Sequence, residues 1–151
     1  MMKRFFSVAL ASCFLTLTAC SNDDLNLNGN EVVEQAFNQK YPKANAKWEM
    51  ERGYFKAEFY ENNVEKEAWF TAAGEWLFTS WDIAPANLPV KVMESVLKMG
   101  FTLTNIDDAD VIEFKDGQTY YEVEIEKAEF DKDFYFTSEG IQVKNPLVSG
   151  I

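Results

Sequence analysis

A block of residues recurs in this chain, and that recurrence limits the available folds more than any other feature. Tyr54-Phe55-Lys56-Ala57-Glu58-Phe59 returns as Tyr120-Tyr121-Glu122-Val123-Glu124-Ile125, and Ala68-Trp69-Phe70-Thr71 with Gly74 returns as Phe134-Tyr135-Phe136-Thr137 with Gly140. Upstream, Val32, Glu34, Ala36, Phe37 and Tyr41 correspond to Val92, Glu94, Val96, Leu97 and Phe101, once an insertion near Thr104 to Ala109 is allowed for. Chance can give one such match. Three in the same order point to an internal repeat, so each copy is expected to form the same supersecondary unit.

Each copy opens on a helical pattern. Val32, Val33, Ala36, Phe37 and Tyr41 fall at helical spacing, with Asn28 or Asn30 as N-cap, and Pro42 stops the run. A second helix is expected to start around Asn87-Leu88-Pro89, to bury Val92, Met93, Val96 and Leu97, and to end at Gly100. Strands are expected over 46–51, 54–60, 64–71 and 75–83 in the first copy, and over 110–114, 119–127, 133–137 and 141–144 in the second. Arg52-Gly53, Glu61-Asn62-Asn63, Asp116-Gly117 and Ser138-Glu139-Gly140 supply tight turns between them. Strands joined this closely must pair antiparallel, because parallel neighbours need a long crossover. The expected fold is α+β: two tandem repeats, each a helix plus a four-stranded antiparallel meander, with the helices packed on one face of the sheet.

Period-two alternation then sorts the strands into faces. Phe55, Ala57, Phe59, Ala68 and Phe70, with Tyr121, Val123, Ile125, Phe134 and Phe136, form the expected core face. The opposite face mixes large rings with acids. Tyr54, Tyr60, Trp69, Tyr120 and Tyr135 are its candidate partner-binding residues, since rigid aromatic side chains carry much of the binding energy at protein interfaces. Glu122, Glu124 and Glu126 alternate along one strand and are expected to be solvated. The phase of the fourth strand, with Trp76 and Phe78 set against Leu77 and Trp81, is left open by the pattern.

Composition excludes several functions. The 151 residues hold 14 Lys and Arg against 25 Asp and Glu, and no His. A net charge of −11 repels nucleic acid rather than binding it. Without His there is no His-activated nucleophile, His acid–base catalysis or His metal ligation. A carboxylate pair of glycosidase type would need a cleft and a raised pKa, and an alternating acidic strand does not suggest one, so no enzyme is expected. Cofactors are likewise not expected. The alternative reading is an acidic calcium-binding or calcium-stabilised envelope protein, with Asp107, Asp108 and Asp110 as ligands in the inserted loop, although the EF-hand glycine and terminal Glu are missing.

Lys3 and Arg4 precede an apolar run from Phe5 to Leu15, the layout of a secretory signal peptide. Leu17-Thr18-Ala19-Cys20 resembles a bacterial lipobox, which implies cleavage before Cys20 and lipidation of that residue. The expected organisation is therefore a signal peptide over 1–19, a lipidated Cys20 with an acidic linker over 20–30, and the two repeats over 31–86 and 87–151. Buried acyl chains hold such a protein on a membrane without a spanning helix. That places it in the bacterial cell envelope, periplasmic or surface-exposed.

Val33, Phe37, Tyr41-Pro42, Ala44, Trp48, Tyr54, Ala57, Phe59, Trp69-Phe70, Gly74 and Trp76, followed by Leu88-Pro89 and Val92, make a string similar to the PepSY-like proteins of the beta-lactamase-inhibitor-like superfamily. The resemblance implies secreted or lipid-anchored placement, tandem helix-plus-sheet repeats and no established catalytic activity. Its best-understood relative is an inhibitor that grips an enzyme with an aromatic-rich concave sheet. Residues and resemblance together lead to a non-enzymatic lipoprotein that binds, and could thereby inhibit, a protein or peptide partner through the open sheet face. Its acidity favours a basic partner.

Overall fold

The computed structural model describes residues 31–149; the leader, the linker and Cys20 lie outside the described residues. Helix α1 (Glu31–Lys40) is followed by strands β1 (Ala46–Glu51), β2 (Tyr54–Glu61), β3 (Val64–Phe70) and β4 (Trp76–Asp82). After helix α2 (Val90–Lys98) come β5 (Ile106–Phe114), β6 (Thr119–Lys127), β7 (Phe130–Thr137) and β8 (Gln142–Val143). The hairpins form where the turn chemistry implies. Arg52-Gly53 and Asn62-Asn63 all take positive φ, the backbone that matches the twist of the flanking strands.

The architecture is α+β, with all eight strands pairing in chain order in one antiparallel sheet. β4 pairs with β5, from Phe78 opposite Phe114 to Asp82 opposite Asp110, so no gap separates the two groups of four strands. One boundary moves for a physical reason. The stretch from Ile106 to Asp110, expected as an acidic loop, is strand, because its backbone pairs with β6 from Ile125 to Glu122. Ile106 and Ala109 are buried by this pairing.

Both helices lie on the same side. α1 contributes Val33 and Phe37, and the following Tyr41, to a cluster with Phe55, Ala57 and Phe59 of β2 and Ala68 and Phe70 of β3. The Phe37 ring is central to it, 5.1 Å from Phe59, 5.3 Å from Tyr41 and 5.5 Å from Trp48. α2 contributes Val92 and Val96 to a second cluster with Ile106, Ala109, Val123, Ile125 and Phe136. The core face expected from alternation is the face the helices cover.

A bulge fixes the phase of β4. Pairing shifts between Trp69 and Phe70, so that Trp76 opposes Phe70 while Phe78 opposes Trp69. Trp76 and Thr79 therefore both point to the helix side, and Phe78 to the other. Buried Thr79 bonds the Tyr41 hydroxyl at 2.6 Å and accepts from Trp76 Nε1 at 2.9 Å. Burial is the main reason the Tyr41 phenol is pushed up to about 12.

The turns after β3 and β7 dock on the helices in the same manner. In each, the glycine N–H donates to a threonine carbonyl (Gly74 to Thr71, Gly140 to Thr137) and the glycine takes a positive φ. A Cβ at Gly74 would lie 2.9 Å from the Val32 carbonyl oxygen of α1, and one at Gly140 only 2.2 Å from that of Lys91 in α2. Gly53 has the same positive φ with nothing within 4 Å of its Cβ position. Gly53→Ala should thus cost only the left-handed strain, about 1–2 kcal/mol, and Gly140→Ala clearly more. Urea unfolding of the two variants checks this order; equal losses would mean that the close approach to α2 is unimportant.

Candidate functional site on the sheet face opposite the helices

Among the described residues neither α-helix lies on the other side of the sheet, and strand register defines its contents. Four rings cross it from β3 to β6. Trp69 stacks on Phe78 at 5.7 Å, Phe78 meets Phe114 at 5.5 Å, and Tyr120 stands edge-on to Phe114 at 5.6 Å. The structure brings the expected Trp69 and Tyr120 together through Phe78 and Phe114, two rings the sequence reading did not include. Tyr60 is 59% exposed near the β2–β3 turn and donates to Glu65 at 2.9 Å; Tyr54 is half-buried at the start of β2.

Tyr135 is placed differently from the expectation. It is on the expected face but only 6% exposed. It packs in a third cluster with Phe78 and Ile112, and the partly buried Val143 and Leu147 lie against that cluster. Its hydroxyl donates to Glu122 at 2.7 Å and accepts from Asn145 Nδ2 at 2.9 Å. Asn145 Oδ1 in turn takes the Leu147 N–H at 2.8 Å, so the C-terminal segment is tied down over this part of the sheet. Tyr135 therefore anchors the chain's own C-terminal segment and has little surface for a partner.

Acids fill the neighbouring rows. Asp82, Asp110, Glu122 and Tyr135 oppose one another across β4 to β7, and Asp108, Glu124 and Asp133 make the next row. Glu122 is 4% exposed, against the expectation that it would be solvated, and it lies opposite Tyr135, from whose hydroxyl it accepts a hydrogen bond. Burial, followed by neighbouring carboxylates, pushes it up to about 7. Asp110 is 6% exposed and lies directly opposite Asp82 in the β4–β5 pairing, so the two carboxyls disfavour each other's charge. Burial and that pairing push Asp110 up to about 9. Burial also raises Asp108, Glu124 and Asp133. Within the described strands, register puts only Lys47 and Lys56 as basic residues on this face. Burial works against the charge of Lys56, but Glu58, Glu67 and Glu49 surround its ammonium at 3.0–3.5 Å and hold its pKa above the usual lysine range.

The three aspartates considered for calcium do not form a chelating loop. Asp107 is exposed at an irregularity in β5, Asp108 accepts from the Ala109 N–H at 2.8 Å, and Asp110 is buried against Asp82. Among the described residues no group of three or more acids is arranged to hold a metal ion. Of the acids that complete the buried row, Asp82 carries no signal in the sequence and Glu122 reads there as solvated. Finding them needed the register between β4 and β5, which the bulge at Leu77 obscures.

Residues 53–144 match the protein family described as "Putative beta-lactamase-inhibitor-like, PepSY-like". A crystal structure of a BLIP-like protein from Bacteroides fragilis is 28% identical, with a TM-score of 0.68 over 82% of this chain and 89% of that one. A DUF2874 family protein from Bacteroides ovatus is 26% identical, with a TM-score of 0.66 over 75% and 83% of the two chains. At 21% identity, a Bacteroides eggerthii protein described among "putative periplasmic proteins" shares the fold, with a TM-score of 0.68 over 76% of this chain and 85% of that one. No curated protein matches the chain.

The buried acids make stability depend on pH in a definite direction. Unfolded, Asp110 loses its proton near 3.8; folded, it keeps it to about 9. Between those values the folded state holds the extra proton, so stability is greatest at the acidic end and declines as pH rises. Glu122 adds to the decline from 4.5 to about 7. Urea unfolding should show wild type losing stability from about pH 5 to about pH 9, and Asp110→Asn should remove most of the loss above about pH 7. An unchanged slope in Asp110→Asn would mean that Asp110 is ionised in the folded protein.

Proposed function

The chain belongs to the PepSY-like family of beta-lactamase-inhibitor-like proteins, and from that premise we propose that it is a non-enzymatic binding protein that holds a basic protein or peptide against the open face of its sheet. The observation that carries this reading is the half-buried Trp69, Phe114 and Tyr120, seated around buried Phe78 and lying beside carboxylates of β4 to β7 that have no basic neighbour on those strands among the described residues. A lysine or arginine of the partner would meet both the ring faces and the acids. The family membership and the name of the BLIP-like relative from Bacteroides fragilis support a protein partner as the class of ligand. Occupying such a partner's surface would be sufficient to inhibit it.

We place the protein in the bacterial envelope, held by a lipid on Cys20, in the periplasm or at the surface. The periplasmic description of the Bacteroides eggerthii neighbour supports this compartment. Among the described residues no helix is long and apolar enough to cross a membrane. The corresponding glycine turns that dock on α1 and α2 support reading 31–86 and 87–151 as tandem copies of one unit.

Cross-linking in intact cells, followed by identification of the attached protein, tests the reading. Replacing Tyr60 and Trp69 together by Ala should weaken capture of that protein at least about thirtyfold, the scale of losing one interface hot spot. Added salt should weaken capture by the wild type, since its acids act through exposed charge. Undiminished capture by the double variant would remove the aromatic row from the interface.

A further inference from the structure

The two edges of the sheet are not alike. β8 is two residues long and soon reaches Pro146, leaving little backbone for another strand to pair with. β1 runs for six residues without a proline, and no strand pairs with its outer edge among the described residues. Register points Lys47, Glu49 and Glu51 to the open face and Ala46, Trp48 and Met50 to the helix face. Met50 is 53% exposed. Near the other end of the strand an open groove of about 270 Å³ lies between α1 and β1, with Phe37, Ala44, Ala46 and Trp48 in its wall and the polar Glu34, Asn38 and Asn45 at its rim.

We propose that β1 pairs antiparallel with β1 of a second copy of this chain, centred on Trp48, giving a symmetric dimer in which each Met50 enters the groove of the other copy. A twofold axis perpendicular to the sheet keeps the helices of both copies on one side, and facing residues then share a face. With Trp48 on the axis, Met50 faces Ala46 of the second copy, which is a wall of its groove. An unbranched thioether suits such an irregular opening. On the open face the same register sets Lys47 opposite Glu49 of the second copy, twice, extending across the edge the pair that Lys47 already makes with Glu49 of its own chain at 2.9 Å. The neighbouring registers are worse: a centre at residue 47 opposes two lysines, and one at 49 opposes two glutamates. Knob, groove and charges are thus satisfied by one alignment, and a second copy is the occupant because its own sequence supplies all three.

The pairing uses an edge and leaves the open face free, so it does not depend on the binding role proposed above. Six paired residues bury less than a standard protein interface, so the dimer is weak and depends on concentration. Sedimentation velocity of the purified full chain, from micromolar to near-millimolar, should show the mean mass rising from monomer towards dimer. Met50→Lys, at an exposed position, should raise the dissociation constant at least about tenfold. Lys47→Glu should also weaken association, and the double exchange Lys47→Glu with Glu49→Lys should restore it, with thermal melting confirming that each variant is folded. A monomer at every concentration, including one whose β1 edge instead takes up an added extended peptide, overturns the proposal. So does association indifferent to Met50→Lys, or a double exchange that fails to restore it.

Discussion

Both helices sit on one side of an eight-stranded sheet, so half of the side chains on every strand must be accommodated without them. On the helix side the solution is ordinary apolar burial. On the other side the chain uses three devices: a row of touching rings, a row of buried acids ending on the Tyr135 hydroxyl, and its own C-terminal segment. The acids are the costly part. A carboxylate moved out of water is tolerated only if it is paired or protonated, and here Asp110 keeps a proton against Asp82 while Glu122 takes the Tyr135 hydroxyl. The binding role proposed for this face rests on the acids of β4 to β7, which among the described residues have neither α-helix above them nor a basic neighbour on those strands.

The two helix-side clusters differ in character. The one under α1 is built from rings around Phe37, whereas the one under α2 is mainly aliphatic, with Phe136 among Val and Ile. What joins them is the backbone pairing of β4 to β5 together with the third cluster, in which Phe78 comes from one group of strands and Ile112 and Tyr135 from the other. That cluster lies on the open side. The face proposed to bind a partner therefore also helps hold the sheet together, which limits how far its central rings can be altered without loss of fold.

Much of this was legible in the residues. Glycine and asparagine turns, period-two alternation and helical spacing gave both helices, most strand boundaries and the core face, because each depends on neighbours close in sequence. Misreadings occurred where distant pairing decides. The acidic stretch before Val111 is strand because β6 lies beside it, and Glu122 is buried where Tyr135 of the neighbouring β7 bonds it. Likewise, Trp76 and Thr79 reach the same side only because Leu77 is the extra residue of a bulge, which a strict alternation cannot represent. Of the candidate binding rings, Trp69 and Tyr120 are joined through Phe78 and Phe114, and Tyr60 is open, while Tyr135 is taken up by the chain itself. The family resemblance read from Tyr41-Pro42, Trp69-Phe70 and their companions agrees with the match over residues 53–144.

All four tryptophans (Trp48, Trp69, Trp76 and Trp81) lie in β1, β3 and β4; none lies beyond Asp82. Indole emission is therefore a local optical probe of the α1 side of the molecule, whereas the α2 side is represented only by tyrosine and phenylalanine. Fluorescence and far-ultraviolet dichroism will trace one superimposable transition only if the sheet melts as a whole, and any offset between the two signals directly measures how independently its ends come apart.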